Sequence, residues 1–238
     1  KYGFKIIEDA SHALGSSYEK IKVGSCLYSD ITIFSFHPVK IITTAEGGMS
    51  VTNDLDLYDK MKSLRINGII NDKKLMEIQP ENEIWNYQQI KLGYNFKMND
   101  IQAALGLSQI KRLDDFIIRR HKIANNYFKK LKNLKIILPF QSPGNYSSYH
   151  LFPICIYRRE CNKTQKEIYE ILRKNHIEAN IHYIPVYLHP YYKALKFKRG
   201  YCPNAETYFK STISIPMYYG LSYENQDKVI KIILNELK

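Results

Sequence analysis

The run Ser35-Phe36-His37-Pro38-Val39-Lys40 decides the fold, because it places a lysine in a loop directly after a strong strand. Residues 30–36 are β-branched and aromatic, which favours a strand, and the proline stops it. Residues 4–8 predict an earlier, buried strand that ends at Asp9. Strands that alternate with helices indicate an α/β protein. The carboxyl ends of such strands carry ligand-binding groups, so Asp9 and Lys40 are candidate site residues.

The residue types at these positions allow a particular chemistry. A lysine in a crowded, partly apolar site has a lowered pKa, so its free amine can form an imine with a carbonyl group. A carboxylate at Asp9 can keep a pyridine nitrogen protonated, and a hydroxyl near the lysine, such as Ser35, can bind a phosphate. The ordinary alternative is a turn carboxylate and a solvated loop lysine. Residue type and spacing alone leave that alternative open.

Periodicity along the rest of the chain predicts helices, a loop and a short extended segment. We expect helices at 55–65, from Asn99 or Asp100, at 114–132, at 163–175 and at 222–237. The segment 70–94, which contains Pro80, is polar and predicts a long loop, whereas 149–157 predicts a strand and 181–184 a short extended piece. Residues 1–112 then supply about three strands.

Four ordered strings resemble the DegT/DnrJ/EryC1/StrS family of sugar aminotransferases. They are Glu8-Asp9-Ala10-Ser11-His12-Ala13-Leu14-Gly15, Phe34-Ser35-Phe36-His37-Pro38-Val39-Lys40, Thr43-Thr44-Ala45-Glu46-Gly47-Gly48 and the run from Gly93 to Gly106. The resemblance implies an α/β chain of the pyridoxal-phosphate (PLP) dependent transferase fold type I. Residues 1–112 would be the C-terminal part of the PLP-binding large domain, and residues 113–238 a small C-terminal α/β domain.

The resemblance also implies a role for each matched residue. Lys40 matches the Schiff-base lysine, which shuttles a proton between cofactor and sugar, and Asp9 matches the carboxylate that pairs with the pyridine nitrogen. His12 falls near the cofactor's phenolic oxygen, with an ordinary turn histidine as the alternative. Ser35 matches a phosphate ligand. Asn95 matches an asparagine that reaches the phosphate of the partner subunit, which implies a homodimer with shared active sites; a plain loop cap is its alternative.

The sequence around Asp9 and Lys40 most resembles the branch of the family that takes part in pseudaminic acid synthesis. That branch implies a UDP-linked 4-keto-6-deoxy sugar as acceptor and glutamate as amino donor. Besides Ser35 and Asn95, the segment that would face the substrate comprises Ile181, His182, Tyr183 and Ile184. Two alternatives stay open: an aminotransferase for another nucleotide-linked keto sugar, and an inactive, non-catalytic fragment.

Two substitutions and one absence depart from the family's pattern. Ala45 stands where the family usually has glycine, so it is strained if that position needs a positive φ. Asn67 stands where a histidine is common. A long N-terminal portion of the family's enzymes has no counterpart here, so we expect a fragment that is inactive alone, with exposed sheet edges and poor stability.

Composition narrows the location and the partners. The 238 residues are 45% hydrophobic, which suffices for a substantial core, and contain no run of 18 apolar residues. We therefore expect a cytoplasmic protein without a membrane partner. The net charge of +12 comes from basic residues spread among acids, so we expect no nucleic-acid partner. Four widely spaced cysteines predict reduced thiols and no metal site.

Overall fold

The computed structural model describes residues 2–77, 83–157 and 159–237. Its contacts divide the chain between Leu113 and Asp114 into two compact units. The domains expected at 1–112 and 113–238 stay a prediction, because compactness does not by itself show that a unit folds independently.

The first unit is built around a three-stranded sheet. Its elements are β1 (Ile7–Asp9), β2 (Ser17–Tyr18), β3 (Ile21–Lys22), β4 (Ile31–Ser35), β5 (Gly48–Val51), α1 (Leu55–Arg65), β6 (Ile69–Ile70), β7 (Gln88–Gln89) and α2 (Asp100–Ile110). The sheet has the order β1-β4-β5. β1 pairs with β4 in parallel, with Asp9 opposite Ile33. β5 pairs with β4 antiparallel, with Gly48 opposite Ser35.

The strand that leads to Asp9 differs from the prediction. It was expected at residues 4–8 and buried, but β1 begins at Ile7, whose side chain is 62% exposed. The prediction of burial is wrong because β1 is an edge strand of this sheet, with β4 as its neighbour on one side. The apolar run is therefore present, but its side chains Ile6 and Ile7 stay largely exposed. This exposed edge is the one expected from the sequence.

The strand count in the first unit was also too low. The sheet itself has the three expected strands, but two short antiparallel strand pairs, β2 with β3 and β6 with β7, were missed. Each of their strands has only two residues, which is too short to show the alternation that identifies a strand in sequence. The β6–β7 pair ties the two ends of the expected loop together; Pro80 lies outside the described residues.

The helices of the first unit follow their local signals. α1 covers the expected residues, and Asp54 caps it by accepting from the Leu57 N–H. Asn99 caps α2 in a capping box with Gln102, which decides between the two caps that the sequence allowed. No residue of α2 is buried, and Ile101 is 84% exposed.

The second unit has a closed apolar core. Its elements are α3 (Leu113–Leu131), β8 (Asn145–Tyr146), β9 (Phe152–Cys155), α4 (Gln165–Lys174), α5 (Pro190–Ala194), α6 (Pro203–Phe209), β10 (Thr212–Ile215) and α7 (Tyr223–Glu236), with a 3₁₀ turn at Val186–Leu188. β9 and β10 pair antiparallel, with Ile154 opposite Ile213. Side chains of α3, α4 and α7 pack with this pair, and Tyr127, Leu172 and Ile233 are completely buried.

A buried cation ties the loops of the second unit to α3. The Arg120 guanidinium donates to the carbonyl oxygens of Tyr149, His150 and Met217 at 3.0 to 3.3 Å. Burial lowers the pKa of Arg120 to about 10, so the side chain stays charged at neutral pH.

The short extended piece expected at 181–184 forms no strand in the structure. The backbone pairing next to it is a single bridge between Asn180 and Ser214.

The helices of the described residues carry no membrane-spanning segment. None of them is both long enough and apolar enough to cross a bilayer.

Expression of residues 113–238 alone tests the division. Every member of the large buried cluster lies between Ile123 and Leu237, so this piece should unfold cooperatively with heat. Residues 1–112 alone should give a broad transition, because α2 and β1 leave their apolar side chains exposed. Circular dichroism of both pieces measures the difference. A sharp transition for the first piece, or none for the second, would contradict the prediction.

Candidate active site

Parallel pairing brings the expected site residues to one edge of the sheet. Asp9 is the last residue of β1 and Ser35 the last residue of β4, and parallel strands end at the same edge. The Ala10 N–H donates to the Ile33 oxygen at 2.9 Å, so the pairing continues to the end of β1. Lys40 lies in the loop that follows β4. The structure therefore brings these three residues to the same region.

Asp9 is held in its ionised form by its neighbours. The Ser11 hydroxyl and the Ser11 N–H donate to its Oδ1 atom at 2.5 and 3.0 Å. These two hydrogen bonds, with smaller effects of His12 and Lys40, lower the pKa of Asp9. Both of these bonds go to Oδ1, and none of the described residues donates a hydrogen bond to the Oδ2 atom.

Ser11 was given no role from the sequence, although it contacts the candidate carboxylate directly. The signal was present: a serine two residues after an aspartate often closes a turn by hydrogen bonding to it. The sequence prediction included Ser11 only within a motif, and it named no residue that orients Asp9.

Lys40 is half-buried in a tight turn. Its N–H donates to the His37 oxygen at 2.9 Å, and the His37 ring lies 3.4 Å from the Val39 nitrogen, so His37 shapes this turn. Burial lowers the pKa of Lys40, and the negative charge of Asp9 opposes part of this effect. The neutral amine is therefore more accessible here than on a surface lysine, which suits a nucleophile.

The loop after Lys40 returns to β4 through its backbone. Phe36 and Thr44 anchor it: the Phe36 N–H donates to the Gly47 oxygen at 2.9 Å, and the Thr44 N–H to the Phe36 oxygen at 3.0 Å. Gly47 has no room for a side chain, because a Cβ atom would lie 2.5 Å from the Thr44 hydroxyl. Ala45 adopts a φ of 65°, which confirms the expected strain at the position where glycine is usual.

Asn95 is held by a different part of the first unit. It forms a backbone bridge with Ile66, and the Asn67 N–H donates to the Tyr94 oxygen at 2.7 Å. Asn67 has a φ of 64°, a conformation that asparagine tolerates better than most residues, so the exchange of the usual histidine does not distort this turn. Asn95 is exposed, as expected of a residue that reaches another subunit, but no described contact joins it to Lys40.

The segment expected to face the substrate lies in the second unit. His182 Nδ1 is 2.8 Å from the Ser214 hydroxyl, so the start of the segment is fixed to β10. Ile181 is half-buried, whereas Tyr183 and Ile184 are exposed, with 65% of Tyr183 accessible. Their side chains are therefore free to contact a ligand.

The donor set at the sheet edge fits PLP. The Lys40 amine can bind the aldehyde carbon, the Oδ2 atom of Asp9 can accept from a pyridine N–H, and the Ser35 hydroxyl can donate to a phosphate. His12, whose charge acts on Asp9, lies near the same groups. The geometry supports the roles that the resemblance implied, which remain proposals.

Solved structures with the same fold define the class of protein. A structure of Helicobacter pylori PseC, an aminotransferase involved in the biosynthesis of pseudoaminic acid, matches 98% of this chain with a TM-score of 0.86 and 33% identity. The PLP form of Streptococcus pneumoniae Spr1654 matches 98% with a TM-score of 0.84 and 30% identity. These matches cover 60% and 59% of those chains. The fold is the PLP-dependent transferase fold type I, as expected.

The sequence comparison gives the family. The model of the DegT/DnrJ/EryC1/StrS aminotransferase family matches residues 1–234, so the chain belongs to this family, whose enzymes use PLP. Bacillus subtilis SpsC, a spore coat polysaccharide biosynthesis protein, is 35% identical over 100% of the chain and 61% of its own length. The UDP-4-amino-4,6-dideoxy-N-acetyl-β-L-altrosamine transaminase of Campylobacter jejuni strain 11168 is 36% identical over 94% and 56%. The chain thus spans about 60% of these relatives.

Replacing Ser11 tests how Asp9 is kept ionised. In Ser11→Ala the side-chain hydrogen bond is lost, so the pKa of Asp9 should rise towards its usual value. Because the native pKa is lowered, these bonds stabilise the fold above the usual carboxyl pKa and lose that effect as the pH falls through the lowered value. Carboxyl ¹³C NMR titration measures the shift. Ser16→Ala, in the following turn, serves as control; an unchanged Asp9 titration in Ser11→Ala would refute the assignment.

Ala45→Gly tests the strain in the lysine loop. Glycine adopts a positive φ without the Cβ penalty, so the loop should gain about 1 kcal/mol. Amide exchange of Phe36 and Thr44, whose N–H groups hold the loop, should slow accordingly. Ala104→Gly in α2 is the matched control, because the same substitution in a helix should destabilise that helix by about 1 kcal/mol. Faster exchange in Ala45→Gly would contradict the interpretation.

Proposed function

We propose that this chain carries the lysine-bearing part of the active site of an aminotransferase that acts on a nucleotide-linked keto sugar. The observation that carries the proposal is the pair Asp9 and Lys40 at the common edge of β1 and β4. Burial favours the neutral amine of Lys40, and hydrogen bonds from Ser11 favour the ionised carboxylate of Asp9. Both pKa values are lowered, which keeps the carboxylate ionised and makes the neutral amine easier to reach.

Asp9, Ser35 and Lys40 each have a separate role in the proposed mechanism. PLP, when bound, supplies an electron sink for the charge that develops beside the transferred nitrogen. Asp9, held ionised, would accept from the pyridine N–H through its Oδ2 atom, and Ser35 would hold the phosphate. Lys40 would hold the cofactor in the resting enzyme. Its free Nζ atom would accept and return the proton that moves during the transfer, which its lowered pKa favours.

The loop after Lys40 keeps this amine in place. Its backbone hydrogen bonds to Phe36 and the close packing at Gly47 leave the turn little freedom. A proton-transfer group works only within hydrogen-bond reach of the atoms it serves, so a fixed loop contributes directly to rate. In this proposal His12, whose charge acts on Asp9, would lie near the phenolic oxygen of the cofactor.

For the acceptor we propose a UDP-linked 4-keto-6-deoxy amino sugar, with glutamate as amino donor. Support comes from the C. jejuni relative, named as a transaminase of a UDP-linked dideoxy amino sugar. Ser35, Asn95 and the segment from Ile181 to Ile184 would contact this substrate. The SpsC relative is named for spore coat polysaccharide biosynthesis and not for that sugar, so our second candidate is a different nucleotide-linked keto sugar.

We further propose a cytoplasmic homodimer with shared active sites. The exposed position of Asn95 supports it, as does α2, none of whose residues is buried although Ile101 and Leu107 are apolar. Contiguous exposed apolar side chains are typical of surfaces that pair with another chain.

The decisive experiment labels the lysine and measures transamination. The protein is incubated with PLP, reduced with borohydride and digested, and the label should be on Lys40. With the UDP-linked keto sugar and glutamate, Lys40→Ala should lower kcat by about 10³-fold, as expected when a proton-transfer group is lost. Lys60→Ala, an exposed lysine of α1, is the matched control and should keep full activity.

Both measurements are made on the 238-residue chain and on the same chain completed with the N-terminal portion that the resemblance leads us to expect. Transamination should require the completed chain. A label on another lysine in the completed chain, or full activity of Lys40→Ala, would refute the proposal. Activity with a different nucleotide-linked keto sugar alone would select the second candidate.

A further inference from the structure

A carboxylate is buried in the second unit outside the candidate active site. Glu206, in α6, is only 8% exposed. Its Oε1 atom accepts hydrogen bonds from the Tyr187 hydroxyl at 2.7 Å and from the Gly200 N–H at 2.6 Å. The bond from Tyr187, followed by the one from Gly200, lowers the pKa of Glu206, so the carboxylate is ionised at neutral pH.

The Tyr187 hydroxyl continues this network to the backbone. A phenol has one hydrogen, and the shorter contact directs it to Glu206 rather than to the Cys202 oxygen at 3.2 Å. Its oxygen accepts from the Cys202 N–H at 3.2 Å. The ring also packs with the Tyr201 ring, with centroids 5.7 Å apart. Glu206 thus binds the Gly200 N–H, and Tyr187 binds the Cys202 N–H. We call this arrangement of Tyr187 and Glu206 the clamp.

The clamp closes the base of a long exposed segment. Residues 188–199 leave from Tyr187 and return to Gly200, and they are exposed apart from Leu188 and Phe197, which are half-buried. The segment has little apolar packing of its own to hold it. Its conformation therefore depends on the hydrogen bonds that fix its two ends.

The same clamp fixes the residues that precede it. Asn180 and His182 are bound to Ser214 of β10, through backbone bonds and a side-chain contact at 2.8 Å. Pro185, buried and conformationally restricted, then leads directly to the 3₁₀ turn that contains Tyr187. The exposed side chains of Tyr183 and Ile184 are consequently held from both sides.

A buried charge needs a reason, because removing a carboxylate from water costs free energy that hydrogen bonds only partly restore. An apolar residue at position 206 would pack the same space at lower cost. Unlike an apolar residue, a carboxylate accepts hydrogen bonds, and here it fixes the Tyr187 hydroxyl and the Gly200 N–H at one point. Such a group specifies geometry rather than stability.

We propose that Glu206 and Tyr187 are positioning residues that hold Tyr183 and Ile184 in place for binding of the nucleotide sugar. This inference rests on the proposed function, because it assigns the clamp to the substrate segment of the same enzyme. Neither residue touches the reacting atoms. The clamp acts through the backbone between Tyr187 and Ile184, and it sets how much of the binding energy is spent on ordering that segment.

The first measurement does not depend on activity. Glu206→Gln keeps the shape but loses the charge-assisted bonds, and Tyr187→Phe removes only the hydroxyl. In both variants the amides of Gly200 and Cys202 should exchange about tenfold faster, as expected when one charge-assisted hydrogen bond is weakened. Amides of β9 and β10 should exchange as before. Glu224→Gln and Tyr223→Phe, exposed residues of the same types in α7, are the matched controls.

The second measurement separates a positioning role from a merely structural one. In the completed, active protein, both variants should raise KM for the nucleotide sugar about tenfold while kcat changes less than about twofold, because the loss falls on binding. The double variant should cost no more than either single one, since both remove the same clamp. Unchanged exchange at Gly200 and Cys202 would show that no clamp exists.

Faster exchange with an unchanged KM would overturn the positioning role. A protein that lacks transamination in every form, including the unaltered one, contradicts the proposed function instead. In that case binding of UDP-N-acetylglucosamine, measured by calorimetry, replaces KM as the readout. Equal affinity of the variants and the unaltered protein, or no binding by any of them, would then overturn the inference.

Discussion

Parallel pairing of β1 with β4 is the constraint on which the candidate site depends. Neither Asp9 nor Lys40 is unusual by itself, and they are separated by a full crossover of the chain. The backbone ladder, continued by the Ala10 N–H, aligns the ends of the two strands and brings carboxylate and amine into one electrostatic environment. The pKa values of both groups are lowered, that of Asp9 by hydrogen bonds from Ser11 and that of Lys40 by burial.

Much of this could be predicted from the sequence because its determinants are local. The run from β4 to Lys40, the helix α1 and the cap at Asn99 are each specified by a few neighbouring residues, and all were found where expected. The positive φ of Ala45 was anticipated from the glycine usually found there. The class of fold followed from the motifs, and the comparisons confirmed it.

What the sequence could not reveal depends on distant parts of the chain. The prediction that β1 is buried was wrong, because an apolar run does not indicate how many neighbouring strands its strand will have. The hydrogen bond from Ser11 to Asp9 depends on how the turn orients the two side chains, which residue identities alone do not show. Tyr187 and Glu206 are 19 residues apart, in irregular backbone and a short helix, where no periodicity signals that they meet.

The clamp has an evolutionary consequence. It recognises Gly200 and Cys202 through their backbone N–H groups, which every residue except proline possesses. The exposed residues between Tyr187 and Gly200 can therefore be exchanged without disturbing the frame that carries them. The second unit thereby resembles a scaffold with an interchangeable insert, whose sequence can drift while the core beneath keeps its stability.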